Sequence, residues 1–151
     1  MVDTITVEGA DQVIKKLNKI AAGVEPAGLV KPMRDSTLLV TRDAKKLSPV
    51  DTGTLRSSIA PDITLKAHGI EGAVGSPLKY APFVELGTRP HFPPLSALQV
   101  WARRHGVSAR AVQLAIGRRG TKANEFLKGA LENNTNEIYR TFDDYVKDLV
   151  D

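Results

Sequence analysis

The chain reads as an α+β domain: a small antiparallel β-sheet packed by helices, with a long C-terminal helix. Three observations predict this class. Apolar residues recur at intervals of three and four over most of the sequence, the interval falls to two between Leu55 and Val74, and the stretch from Ala123 to Val150 holds a helical repeat with no proline inside it. With 151 residues and 42% hydrophobic content, the chain suffices for one self-supporting core and is short for two, so residues 1–151 are expected to form a single domain.

The elements follow in order. Thr4-Ile5-Thr6-Val7 alternates like a short strand. Asp11 can cap a helix that places Val13, Ile14, Leu17, Ile20 and Ala21 on one face and ends near Gly23. A second helix is marked by Leu29, Met33, Thr37, Val40, Ala44 and Leu47, with Pro32 tolerated in its first turn and Pro49 closing it. From Leu55 the period is two. Ile59, Pro61, Ile63 and Leu65 share one side, Ala67-His68-Gly69 turns, and Ile70, Gly72 and Val74 return, an antiparallel hairpin with Pro61 on an edge or broken strand. Tyr80 to Gly87, with Pro82 early and Gly87 late, predicts one or two helical turns. Helices are then expected over Pro94–His105, Ala109–Gly117 and Ala123–Val150. In the last, Leu127, Leu131, Asn134, Ile138, Phe142, Tyr145 and Leu149 form a narrow stripe broken only by Asn134, suited to one partner surface in the same subunit or the next.

Composition narrows the function classes. Without cysteine there is no disulfide framework and no thiolate metal site, and a reducing cytoplasm suits the chain. The first residues lack a basic region followed by an apolar run, and no stretch approaches the roughly 18 apolar residues of a membrane span, so neither secretion nor membrane insertion is expected. The net charge of +4 is unevenly spread. No acid lies between Glu85 and Glu125, where Arg89, Arg103, Arg104, Arg110, Arg118, Arg119 and Lys122 fall, whereas Glu137, Asp143, Asp144, Asp148 and Asp151 outnumber Arg140 and Lys147 after Thr135. A basic middle and an acidic tail suit either self-association or a polyanion.

Two short segments mix turn residues with apolar anchors: Ser48-Pro49-Val50-Asp51-Thr52-Gly53-Thr54-Leu55-Arg56-Ser57-Ser58-Ile59 and Tyr80-Ala81-Pro82-Phe83-Val84-Glu85-Leu86-Gly87-Thr88. Pro49 and Gly53 bracket a turn from a long helix into a strand, with Thr52 or Thr54 bonding the backbone. Tyr80 and Phe83 are large anchors. Phe83 is expected in the core, and Glu85 is expected to pair with Arg89. Together with Gly120-Thr121-Lys122, Phe126-Leu127 and Ala130-Leu131, the segments resemble the tail-completion, or neck, proteins of long-tailed bacteriophages, over roughly residues 10 to 132. Family members often carry prolines around the phenylalanine of the third motif, where this chain has Asn124-Glu125-Phe126 and Lys128-Gly129-Ala130.

The resemblance implies a structural virion protein, made in the host cytoplasm, at the head–tail junction. It implies a ring matching the sixfold tail tube, with head-closure and tail-terminator or tail-tube proteins as neighbours. The residues assigned to the structural motif are Pro49, Gly53, Leu55, Arg56, Tyr80, Phe83, Glu85, Gly87 and Thr88. Arg103, Arg104, Arg118, Arg119 and Lys122 are assigned to contact with genomic DNA in the lumen or, the favoured choice, with Asp143, Asp144 and Asp148 of a neighbouring subunit.

The alternative reading is a helix-turn-helix over residues 94–119. Gly106 would be its turn glycine and Ala102 its crossing residue, with Trp101 and Val107 flanking. Val112 and Ala115 would pack inside, and Arg110, Gln113 and Arg118 would face the major groove. Asp51-Thr52-Gly53 also spells an aspartic-protease tripeptide, with Ile116-Gly117-Arg118 as a faint later echo, but a polar helix end precedes it where the catalytic version needs a buried apolar strand. His68 falls in a turn, His91 lies between Pro90 and Pro93, and His105 is near a helix end. None has a ligand or base at working spacing. No catalytic, cofactor-binding or metal-ligating residue is assigned, and Asn133-Asn134-Thr135 matches a glycosylation acceptor by chance.

Overall fold

The computed structural model describes residues 10–67 and 69–150; the predicted strand over Thr4–Val7 and the turn residue His68 lie outside the described residues. The element order is α1 (Ala10–Val24), α2 (Val30–Leu47), α3 (Thr54–Ser58), β1 (Ala60–Lys66), β2 (Gly69–Gly75), α4 (Ala81–Leu86), α5 (Leu95–Arg104), α6 (Ala109–Arg119) and α7 (Phe126–Val150). This is the expected α+β class, with a two-stranded antiparallel sheet and a 25-residue final helix. The described residues divide into two compact units, one from residues 10–43, 60–75 and 130–150 and the other from residues 44–59 and 76–129.

In the first unit, α2 buries a row spaced by four, Pro32, Ser36 and Val40, joined by Thr37 and Thr41. Small threonines can line this face because their hydroxyls bond back along the helix: Thr41 Oγ1 donates to the Thr37 carbonyl at 2.7 Å and Thr37 Oγ1 to the Arg34 carbonyl at 3.0 Å. The β1–β2 hairpin pairs Pro61 with Val74, Ile63 with Gly72 and Leu65 with Ile70. Gly72 lets the strand approach α2, since a Cβ there would stand 2.5 Å from Met33 Sδ and 2.6 Å from Thr37 Cγ2. Pro61 is admissible because both strands of a two-stranded sheet have a free edge.

The inner face of α7 completes this unit. Asn134, read from the sequence as a break in the stripe, is among the most buried residues of the helix. Its Nδ2 donates to Asp43 Oδ2 at 2.9 Å and to the Ala130 carbonyl at 2.7 Å. Leu131, expected on the same face, is exposed instead, while Ile138, Phe142, Tyr145 and Leu149 are half-buried. Tyr145 Oη lies 2.8 Å from the Gly28 carbonyl and 3.1 Å from that of Gly23, and Leu149 packs where Gly23 has no side chain.

The second unit centres on Leu55, Ile59, Ala81, Ala102 and Phe126. Ile59 and Phe126 are almost wholly enclosed, and burying a side chain of the size of Phe126 contributes about 2–3 kcal/mol. The strand expected from Leu55 starts only at Ala60. Gly53 takes a left-handed conformation (φ 82°), Thr52 Oγ1 accepts the Thr54 N–H at 3.4 Å, and the Ser57 N–H closes on the Gly53 carbonyl at 2.9 Å, so a turn of helix precedes the strand. Leu55 and Ile59 are both buried four apart, a spacing that fits either period. α7 likewise begins at Phe126 rather than Ala123, because Thr121 is held in a bridge with Thr88 and the Asn124 N–H bonds to the Val84 carbonyl at 2.9 Å.

Candidate functional site

The second unit carries an open apolar cleft of about 930 Å³. One wall comes from the α4 segment, with Tyr80, Phe83, Val84, Gly87 and Thr88. The other comes from the following loop and helices, with Pro90, Pro93, Leu98 of α5 and Ile116 of α6; Arg89 and Lys122 supply its charged groups and His91 an imidazole. Among the described residues no acid lines it.

Local chemistry explains the walls. Pro82 sits in the first turn of α4, where its missing N–H costs nothing, and Gly87 ends the helix with φ 70°. The chain then pairs with the segment after α6. Thr88 and Thr121 exchange backbone hydrogen bonds at 3.1 and 3.2 Å, and their hydroxyls meet at 3.0 Å. Two glycines permit this clasp. A Cβ on Gly87 would stand 2.5 Å from the Thr121 carbonyl oxygen, and one on Gly120 would overlap the Thr88 carbonyl oxygen; Gly120 also has φ 71°. The third motif of the sequence is thus joined to the second.

Glu85 has a different role from the one expected. It forms no ion pair with Arg89. Its carboxylate accepts the N–H groups of Leu127 at 2.9 Å and Lys128 at 3.0 Å, capping the first turn of α7 from 42 residues away in sequence. The helix N-terminus carries partial positive charge and unpaired donors, so this anion satisfies both. Phe83 also departs from expectation. It is 61% exposed, and with Tyr80, Leu86 and Phe92 it leaves aromatic and aliphatic surface facing solvent.

A neighbouring cleft of about 470 Å³ shares Pro49, Tyr80 and Val84 with the first and brings the Ser48–Ile59 motif beside α5. Asp51 is clamped there. Arg104 Nη2 lies 2.9 Å from Asp51 Oδ2 and His105 Nε2 lies 3.4 Å from Oδ1, while the His105 ring stacks on Trp101 at 4.3 Å. A carboxylate paired with a guanidinium differs from the proton-sharing carboxylate pair of an aspartic protease. Leu55 is buried and Arg56 exposed.

Of the predicted contact residues, Arg103, Arg118, Arg119 and Lys122 are exposed in this unit, whereas Arg104 is engaged by Asp51. Asp143, Asp144 and Asp148 are exposed on α7 in the first unit. α5 and α6 meet across Gly106 (φ 66°) over buried Ala102, as the helix-turn-helix reading required. One of its three base-reading residues does not follow: Gln113 is buried, its Nε2 donating to the Pro93 carbonyl at 2.8 Å and its Oε1 accepting from Arg110 at 2.6 Å, while Arg110 and Arg118 are exposed. Sequence reasoning missed Leu86, Phe92, Leu98 and Ile116. The one available signal was the proline run Pro90, Pro93 and Pro94 around Phe92 inside the acid-free stretch.

The arrangement offers apolar burial beside positive charge, which is the chemistry of a docking surface. A family model described as "Bacteriophage HK97-gp10, putative tail-component" matches residues 11–87, just over half of the chain. The chain belongs to the HK97-gp10-like family. The matched residues of this HK97-gp10-like protein span the Pro49–Ile59 motif and the Tyr80–Gly87 wall of the cleft, while Gly120-Thr121-Lys122 lies beyond them. Membership makes it a phage tail component. Among the described residues, no helix is long and apolar enough to cross a membrane. A search of curated proteins and a search of solved structures both found no match.

Proposed function

We propose that this tail component acts at the head–tail junction as a subunit of a ring, sixfold like the tail tube, set between the head-closure proteins and the tube. The observation that carries the reading is the apolar cleft, free of acids among the described residues, with its exposed Tyr80 and Phe83 and the exposed Leu86 beside them, one wall of which lies in the segment that the family model covers. A chain that leaves such anchors in solvent gains free energy by burying them against a neighbour, and burial of apolar surface returns about 25 cal/mol per Å² before the costs of association. Its work would be mechanical, with apolar contacts for strength and opposite charge blocks for orientation. Arg103, Arg118, Arg119 and Lys122 would face either the acidic α7 of another copy or DNA phosphates in the lumen, and we favour the subunit contact.

The reading is tested by native mass spectrometry of the protein alone and with tail-tube protein, followed by imaging of virions carrying a labelled copy. Sixfold rings and label at the joint between capsid and tail are expected. Label confined to the distal tail, or particles that join heads to tails normally without the protein, would overturn it.

A further inference from the structure

We propose that the cleft of one copy receives the outer face of α7 from the next copy, a head-to-tail contact that rests on the ring reading above. Two helices of the described chain leave apolar stripes in solvent. On α1 they are Val13, Ile14 and Leu17, and on α7 they are Tyr139, Val146 and Val150, which fall within one third of the helix circumference. Charge decides between them. The α1 stripe is accompanied by Lys15, Lys16 and Lys19, the same sign as Arg89 and Lys122 of the cleft. The α7 stripe is bordered by Asp143, and among the described residues no acid lines the cleft to oppose it.

The charged groups concerned have capacity for such a contact: Arg89, Lys122 and Asp143 form no ion pair among the described residues. Pairing across a partly dehydrated interface strengthens them relative to their exposed state. The apolar part follows the helix-in-groove mode, in which residues about one and two turns apart act as anchors and Tyr139 supplies the largest side chain. Because the two surfaces are different patches of the same chain, the contact is heterologous, the type that closes into rings.

The experiment uses the full chain with a photoreactive benzoylphenylalanine in place of Phe83, mixed with isotope-labelled wild type so that cross-links between copies are recognised by mass. Irradiation is expected to join position 83 to the tryptic peptide of residues 141–147 or 129–140 of the other copy. In parallel, Asp143→Lys is expected to raise the concentration for half-assembly by about tenfold, and Lys122→Glu in the same chain to restore it. Thermal unfolding of each variant checks that these exposed substitutions leave the fold intact. Rings that form normally but cross-link elsewhere, or an Asp143→Lys chain that assembles like wild type, overturn the docking and leave the ring. A wild type that stays monomeric with and without tail-tube protein overturns both.

Discussion

Replacing Glu85 with alanine removes the two acceptors that hold the first turn of α7. The Glu85 carboxylate is half-buried and accepts hydrogen bonds at 2.9 and 3.0 Å from Leu127 and Lys128, and the first turn of that helix contains no acid of its own. Hydrogen bonds to charged groups contribute about 1.5–3 kcal/mol, loss of a helix cap costs about 0.5–2 kcal/mol, and these are two views of one interaction, so they do not add. The expected loss for Glu85→Ala is therefore about 2 kcal/mol. Glu85→Gln keeps one good acceptor and loses the charge at the helix end, so about half of that loss is expected. In urea denaturation the midpoint should fall with the slope unchanged, and in a thermal scan the midpoint should drop by about 4–8 °C for the alanine variant. A loss under about 0.5 kcal/mol for Glu85→Ala, or a glutamine variant as damaged as the alanine one, would refute the capping argument.

Gly120→Ala should cost more than about 3 kcal/mol, since both the positive φ and the Thr88 carbonyl oppose a Cβ, whereas Gly106→Ala, with open space around it, should cost about 1–2 kcal/mol by chemical denaturation. Asn134→Asp would set a second carboxylate against Asp43 Oδ2; like charges raise the folded-state pKa of the new acid, so stability relative to wild type should fall as pH rises from 4 to 8, read from urea midpoints across that range. Gln113→Ala should destabilise by about 1–2 kcal/mol in the same assay, because the part-buried Pro93 carbonyl contact and the Arg110 pairing are lost together. Asp51→Asn should change stability by less than about 1 kcal/mol, as its partners Arg104 and His105 are largely exposed.

The residues by themselves determined the order and type of the elements from α1 to α7 apart from the short α3, because apolar periodicity, proline and glycine act within a few positions of where they stand. Pro49, Gly53, Gly87 and Gly120 each mark a place where the chain changes course, and a family resemblance resting on such positions was legible too. Local signals are ambiguous when two periods share a spacing, which is why Leu55 and Ile59 fitted a strand as well as the helical turn that formed. Only the tertiary structure decided which faces are covered and which polar groups find partners. Glu85 met its donors 42 residues away, Asn134 met Asp43 across 91, and Gln113 turned inward to Pro93 while Phe83 stayed in solvent. Those outcomes depend on where other segments pack. A repeat along one helix sets the spacing of its apolar side chains, but the neighbour that covers them is chosen by packing of the whole chain.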